Sequence, residues 1–194
     1  INQRITVGMT NSRIYYTAPQ PEIIDGTGRI DLLYTDPPNN TSMNMSVVRP
    51  LQVLSRGEIY NATSMMSTAT ADQLRSASTA YPEWVTNPNL FVGQPSGRVL
   101  TLAQQIVNDA GATNPYDKAK AIERWLRTNI AYNESISSPP AGVDPVEWVL
   151  FDVREGYCTY YATSMIVMLR GLGIPARMAA GFSEGDFDPG TGQY

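Results

Sequence analysis

Cys158 is the only cysteine in the chain, and it stands where a nucleophile could be placed. It follows Gly156 and Tyr157 and opens an apolar run, Tyr160 to Leu172, whose spacing is helical. Backbone N–H groups at a helix N-terminus carry partial positive charge, so a thiolate set there is stabilised. A thiol that attacks a carbonyl also needs a general base, and the 194 residues include no histidine. The residues thus predict half of a thiol site. A lone cysteine is more often a small buried apolar residue, so by itself Cys158 leaves both readings open. With one cysteine and no histidine, a zinc or copper site is not expected, nor is any cofactor.

Composition narrows the remaining classes. Hydrophobic residues make up 42% and charged residues 16% of the chain, enough to bury a core and unlike a disordered type. A net charge of −4 argues against nucleic acid as a partner. No run of about eighteen apolar residues exists, so a membrane is expected only through segments absent from this chain. It opens on Ile1 and stops at Tyr194 in mid-pattern, which we read as a piece of a larger protein. Lys118 and Lys120 are the only lysines, and Thr, Ser, Asn and Tyr dominate the polar residues. That leans towards an extracytoplasmic location. Sequons at Asn40, Asn44, Asn61 and Asn133 decide nothing in a Ser/Thr-rich chain.

The elements that must position the thiol follow from period and punctuation. Residues 1–70 read as short strands, Arg13–Thr17, Arg29–Tyr34 and Ser46–Val53, broken by Pro19, Pro21, Gly26, Gly28, Pro37, Pro38 and the Asn39–Asn40 pair. Met43, Met45 and Val47 alternate with polar neighbours, as in a strand with one buried face. Ala71–Ala77 reads as one or two helical turns capped by Thr70. Prolines and glycines between 81 and 97 mark a boundary. Beyond it Leu100, Ala103, Ile106 or Val107, and Ala110 follow helical spacing, stopped by Gly111. Asn114, Pro115 and Asp117 supply an N-cap, an N1 proline and an acidic N3. Tyr116, Ala119, Ile122, Leu126 and Ile130 then form one stripe. Asp144–Pro145 starts a short helix with Val146, Trp148 or Val149, and Leu150 inward. The cysteine helix spans Cys158 to Gly171, with Tyr161, Ala162, Met165, Met168 or Leu169, and Leu172 inward, ended by Gly171, Gly173 and Pro175. Ala176–Phe182 reads as the first strand of a new sheet, and Ser183–Gly192 as a turn.

The run GYCTYYATSMIVMLRGLGIPAR at 156–177 resembles the transglutaminase-like superfamily, in particular its bacterial branch of cysteine-protease-like members. The matching positions are Gly156, Tyr157, Cys158, Tyr161, Ala162, Leu169, Arg170, Leu172, Gly173, Ile174, Pro175, Ala176 and Arg177. YDKAKAIERWLRTNIAY at 116–132 and DPVEWVLFDVREGYC at 144–158 are also similar. The residues before them, including ATADQLRSASTAYPEWV at 71–85, resemble the extracytoplasmic segment that precedes the core in membrane-anchored members.

The resemblance implies an α+β fold: an antiparallel β-rich domain over 1–95, then the helical half of a papain-like transglutaminase core over 96–194. It implies a Cys-His-Asp triad in which Cys158 attacks an acyl carbonyl and its backbone N–H helps hold the oxyanion. The histidine and aspartate fall on strands beyond Tyr194, so only Cys158 carries over, and the chain alone is expected to be inactive. Asp186 and Asp188 match no catalytic position. Tyr157 is the candidate for substrate contact, while Tyr161, Met165, Met168, Trp125 and Trp148 read as packing, Arg170 as a helix-dipole partner and Glu155 as surface charge. The expected substrate is a protein or peptide. The alternative is a non-catalytic binding or scaffold module with a degenerate core. With one strand, Ala176–Phe182, covering the cysteine helix, its Met165, Met168 and Leu172 face is expected to lie partly open and to favour self-association.

Overall fold

The computed structural model describes residues 1–35, 43–90, 93, 95–182, 185–192 and 194. Pro37, Pro38, Asn39 and the Asn40 sequon lie outside the described residues, as do the side chains of Met43, Asn44 and Met45 and the first two residues of the turn expected at 183–192. The chain divides into two units. One comprises 1–29, 49–66 and 178–194, the other 30–48 and 67–177. The boundary drawn from sequence between 95 and 96 does not coincide with this division. Fold class is as expected, α+β.

The first unit is built on β1 (Asn2–Thr6), β2 (Pro21–Ile24) and β5 (Ile59–Ser64), an antiparallel sheet in the order β1-β5-β2. Along β5 the period of two is plain: Tyr60, Ala62 and Ser64 are buried and Ile59 and Asn61 exposed. Tyr60 meets Tyr15 edge-on, ring centroids 4.9 Å apart. Arg13–Thr17, expected as a strand, is not one. Its backbone finds side chains instead of a neighbouring strand. The Tyr60 hydroxyl donates to the Tyr16 carbonyl at 2.7 Å and accepts from the Tyr16 N–H at 2.9 Å, and the Ser12 hydroxyl donates to the Ile14 carbonyl. The expected strands near 29–34 and 46–53 are present as β3 (Gly28–Thr35) and β4 (Met43–Pro50), a two-stranded sheet.

The second unit holds the helices. α1 (Ala71–Ser76) starts on a full capping box between Thr70 and Gln73, and α2 (Glu83–Leu90) follows. α3 (Gly97–Asp109) is capped by Ser96, and α4 (Pro115–Asn129) by Asn114, whose side chain accepts from the Asp117 N–H at 2.9 Å. β6 (Ala131–Tyr132), α5 (Pro145–Glu147), a π-helical turn over Trp148–Val153, β7 (Glu155–Gly156) and α6 (Cys158–Gly171) complete it. The wider π turn lets the adjacent Val149 and Leu150 both point inward. It ends at Arg154, a non-glycine residue at φ 53°. α3 and α6 close alike, with Gly111 and Gly173 at positive φ. At α6 the Gly173 N–H bonds to the Arg170 carbonyl and the Ile174 N–H to the Leu169 carbonyl, a Schellman ending.

These helices bury one core: Val99, Ala103, Ile106 and Val107 from α3, Ile122 and Leu126 from α4, Val146, Val149 and Leu150, and Met168 and Leu169 from α6. Met168 is fully buried, and Met165 and Leu172 pack against this cluster. On the face expected to lie partly open, Met168 is covered, by helices rather than by a sheet, while Met165 and Leu172 are only partly buried. Ala176–Phe182 is not a strand. A strand needs a ladder partner, and the Ala176 N–H goes instead to the Asn89 carbonyl of α2 at 3.0 Å.

Candidate active site

Cys158 is the first residue of α6, with Tyr157 as N-cap in extended conformation. Its thiol is free and exposed. As an N1 residue its N–H has no acceptor within the helix, so both the amide and the positive end of the dipole are available to a negative atom there. The helix is anchored from below by Met168 and Leu169. The exposure sets aside the reading of Cys158 as core filler.

What precedes the helix holds its start in place. β6 and β7 pair in parallel, Ala131 opposite Glu155 and Tyr132 opposite Gly156. The Asn133 N–H extends the pairing to the Gly156 carbonyl at 2.9 Å, and the Asn133 side-chain amide donates to Glu155 Oε2 at 2.7 Å. Glu155 thus has a structural partner rather than being simple surface charge. A Cβ on Gly156 would come within 3.0 Å of the Tyr160 Cβ, so the turn before the nucleophile fits glycine closely. Tyr157 is half-buried, its ring edge-on to Tyr160 at 4.9 Å, and Tyr160 lies 6.3 Å from Trp148. Tyr157 is therefore tied into an aromatic row beside the thiol.

Tyr132, opposite Gly156 in the β6–β7 pairing, stands in sequence only as the end of a matching run. Its ring lies 6.2 Å from that of Tyr161, and its hydroxyl donates to Glu134 Oε1 at 3.0 Å. That hydrogen bond is the main reason its phenol is held above the ordinary tyrosine range. Desolvation and the negative charge of Glu134 add to the rise. Sequence offered little signal for this neighbour, because a two-residue strand has no period to detect. Tyr161 is partly buried and donates from its hydroxyl to the Ile130 carbonyl. Arg170 does more than face the helix dipole: its Nε donates to the Ala176 carbonyl at 2.7 Å, and burial lowers its pKa. Ser164, not singled out from sequence, is buried with its hydroxyl unpartnered among the described residues. No group of three or more His, Cys, Asp or Glu able to hold a metal occurs among the described residues.

This α+β arrangement has known counterparts. The periplasmic domain of TgpA from Pseudomonas aeruginosa, in a crystal structure bound to ethylmercury, shares the fold with a TM-score of 0.66 and 21% identity, over 98% of this chain and 61% of that chain. Residues 101–193 match the family described as Transglutaminase-like superfamily. The chain is 38% identical over 92 residues to a Bacillus subtilis protein named Uncharacterized protein YebA, covering 46% of this chain and 12% of that one. It is 40% identical over 76 residues to a Protein-glutamine gamma-glutamyltransferase of Pseudomonas aeruginosa, covering 39% of this chain and 11% of that one. The matched stretches thus span only 12% and 11% of the curated relatives' own lengths. No helix among the described residues is long and apolar enough to cross a membrane.

Proposed function

We propose that Cys158 is the nucleophile of a thiol-dependent acyl transfer, acting as a peptidase or as an acyl or amide transferase on a protein or peptide. The observation that carries this is the exposed thiol at the first position of α6 within the transglutaminase-like stretch. In the reaction the sulfur bonds to the acyl carbon, the carbonyl oxygen gains the negative charge, and the Cys158 N–H stabilises it. The C–N bond then breaks, the amine leaves with a proton, and a thioester remains. Water or a second amine resolves the thioester. Tyr157 lines the approach to the thiol. The proton-moving histidine and its aspartate come, in this reading, from outside these 194 residues, which contain no histidine. The relative named Protein-glutamine gamma-glutamyltransferase favours an amine acceptor, and the likeness to a periplasmic domain favours an extracytoplasmic site of action.

The absent histidine supports one other reading, a binding or scaffold module with a degenerate core. The two separate in one assay. Full-length protein is incubated with a glutamine-bearing protein and a fluorescent primary amine, with and without Cys158→Ala. Amine incorporation or peptide release that C158A abolishes, at unchanged melting temperature, supports the nucleophile. Turnover that survives C158A overturns the nucleophile reading, and no turnover in the full-length protein supports the scaffold.

A further inference from the structure

Cys158 is reached through a very short strand. β7 has two residues, as has its partner β6, and a pair of strands this small is marginal by itself. Arg154, at its entry, holds φ 53°, which a residue other than glycine keeps only where its surroundings impose it. Backbone bonds from the β6 side supply part of the constraint: the Ala131 N–H donates to the Arg154 carbonyl and the Asn133 N–H to the Gly156 carbonyl, each at 2.9 Å. The Asn133 side chain supplies the rest. Its Oδ1 accepts from the Ser135 N–H at 2.8 Å, and its Nδ2 donates to Glu155 Oε2 at 2.7 Å. The first bond fixes which way the amide faces, so the second presents a donor to the carboxylate. A carboxylate acceptor makes that bond stronger than one between neutral groups. Gly156 is buried and lies close against Tyr160 of α6, so a shift of β7 passes to the first turn of the helix.

We propose that Asn133 is a positioning residue for the nucleophile: with its backbone on Gly156 and its side chain on Glu155, it clasps both residues of β7 and so sets where the Cys158 sulfur stands at the head of α6. This rests on the reading of Cys158 as the nucleophile. The clasp itself makes and breaks no covalent bond. Between Gly156 and Cys158 lie two planar peptide links, so little freedom separates the held carbonyl from the thiol. Position 133 calls for an amide because an amide carries a donor and an acceptor on separate atoms. A carboxylate of the same shape would meet Glu155 with like charge.

Exchanging donor and acceptor without changing shape tests this. In full-length protein, amine incorporation or peptide release gives kcat and KM. Alkylation by the neutral probe iodoacetamide, followed on the Cys158 peptide by mass spectrometry, reads the thiol directly. Asn133→Asp sets two carboxylates together and should lower kcat roughly tenfold or more, the equivalent of one bond to a charged group, with KM within about twofold. Alkylation should slow with it. Glu155→Gln keeps an acceptor and should cost about two- to threefold in kcat. N133D combined with E155Q leaves the net charge as it was and restores a bond of reversed polarity, so kcat should recover to within about threefold of the unsubstituted protein. Melting curves establish that each variant is folded. Should N133D unfold, Glu155→Ala, which leaves the amide unmatched without opposed charges, gives the same kcat comparison. Unchanged kcat in N133D overturns the proposal. So does a double variant no better than N133D, or a loss confined to KM, which would make Asn133 a substrate contact. Turnover that survives C158A removes the nucleophile, and this role with it. Turnover that C158A abolishes and N133D leaves intact removes only the role of Asn133.

Discussion

The hydroxyl of Tyr161 donates to the carbonyl oxygen of Ile130, the residue that caps the C-terminal end of α4. One hydrogen bond thus ties the end of α4 to the first turn of α6, one turn below Cys158. Ile130 is buried, so its carbonyl has little access to water in exchange. Tyr161→Phe keeps the ring and removes the donor. It should destabilise the protein by about 1–2 kcal/mol, the cost of leaving a buried acceptor unmatched. Denaturant unfolding measures this, and an unchanged midpoint would count against the bond.

Ser164 presents the opposite case. Its hydroxyl is buried in α6 with no partner among the described residues. Ser164→Ala removes the unmatched polar group and suits the helix better. We expect a gain of about 1 kcal/mol, seen as a higher melting temperature. A clear loss would mean that the hydroxyl has a partner after all.

Met168 is the fully buried contact through which α6 meets the helical core. Met168→Ala should cost about 2–5 kcal/mol, from lost transfer energy and the cavity left behind. The same variant should loosen the seat of Cys158, because that helix carries it. Equilibrium unfolding gives the first quantity. The second appears as faster amide exchange in the first turns of α6.

Asp117 sets part of the acid sensitivity. The hydrogen bond from Asn114, and then the pairing with Arg75 at 3.0 Å, hold its carboxyl below the usual range. A carboxylate depressed in the folded state stabilises above its unfolded value, about 3.9, and that contribution is lost as pH falls through the folded value. Asp117→Asn should therefore flatten the fall in melting temperature between about pH 5 and pH 2. Equal slopes for the two proteins would show that Asp117 carries none of it.

Much of the helical half was legible because its boundaries are local chemistry. Asn114, Pro115 and Asp117 mark the start of α4 within three residues, and the glycine-ended α6 spans Cys158–Gly171 as read from sequence. The β-rich half was legible less well. Arg13–Thr17 has strand-forming residues, yet the Tyr60 hydroxyl satisfies its backbone and no strand forms. Ala176–Phe182 fails as a strand in the same way, since Asn89 takes the Ala176 N–H.

By itself, the order of residues determined where α1, α3, α4 and α6 begin and end and which residue opens α6, because caps, glycine stops and apolar spacing act over a few residues; it did not show α2, which runs through Pro88 in the stretch read as a boundary. Tertiary structure alone decided what surrounds the thiol. Tyr132 is set opposite Gly156, two residues before Cys158, by a two-residue parallel pairing between segments more than twenty positions apart. Strand pairing and burial depend on partners that no short stretch of chain contains.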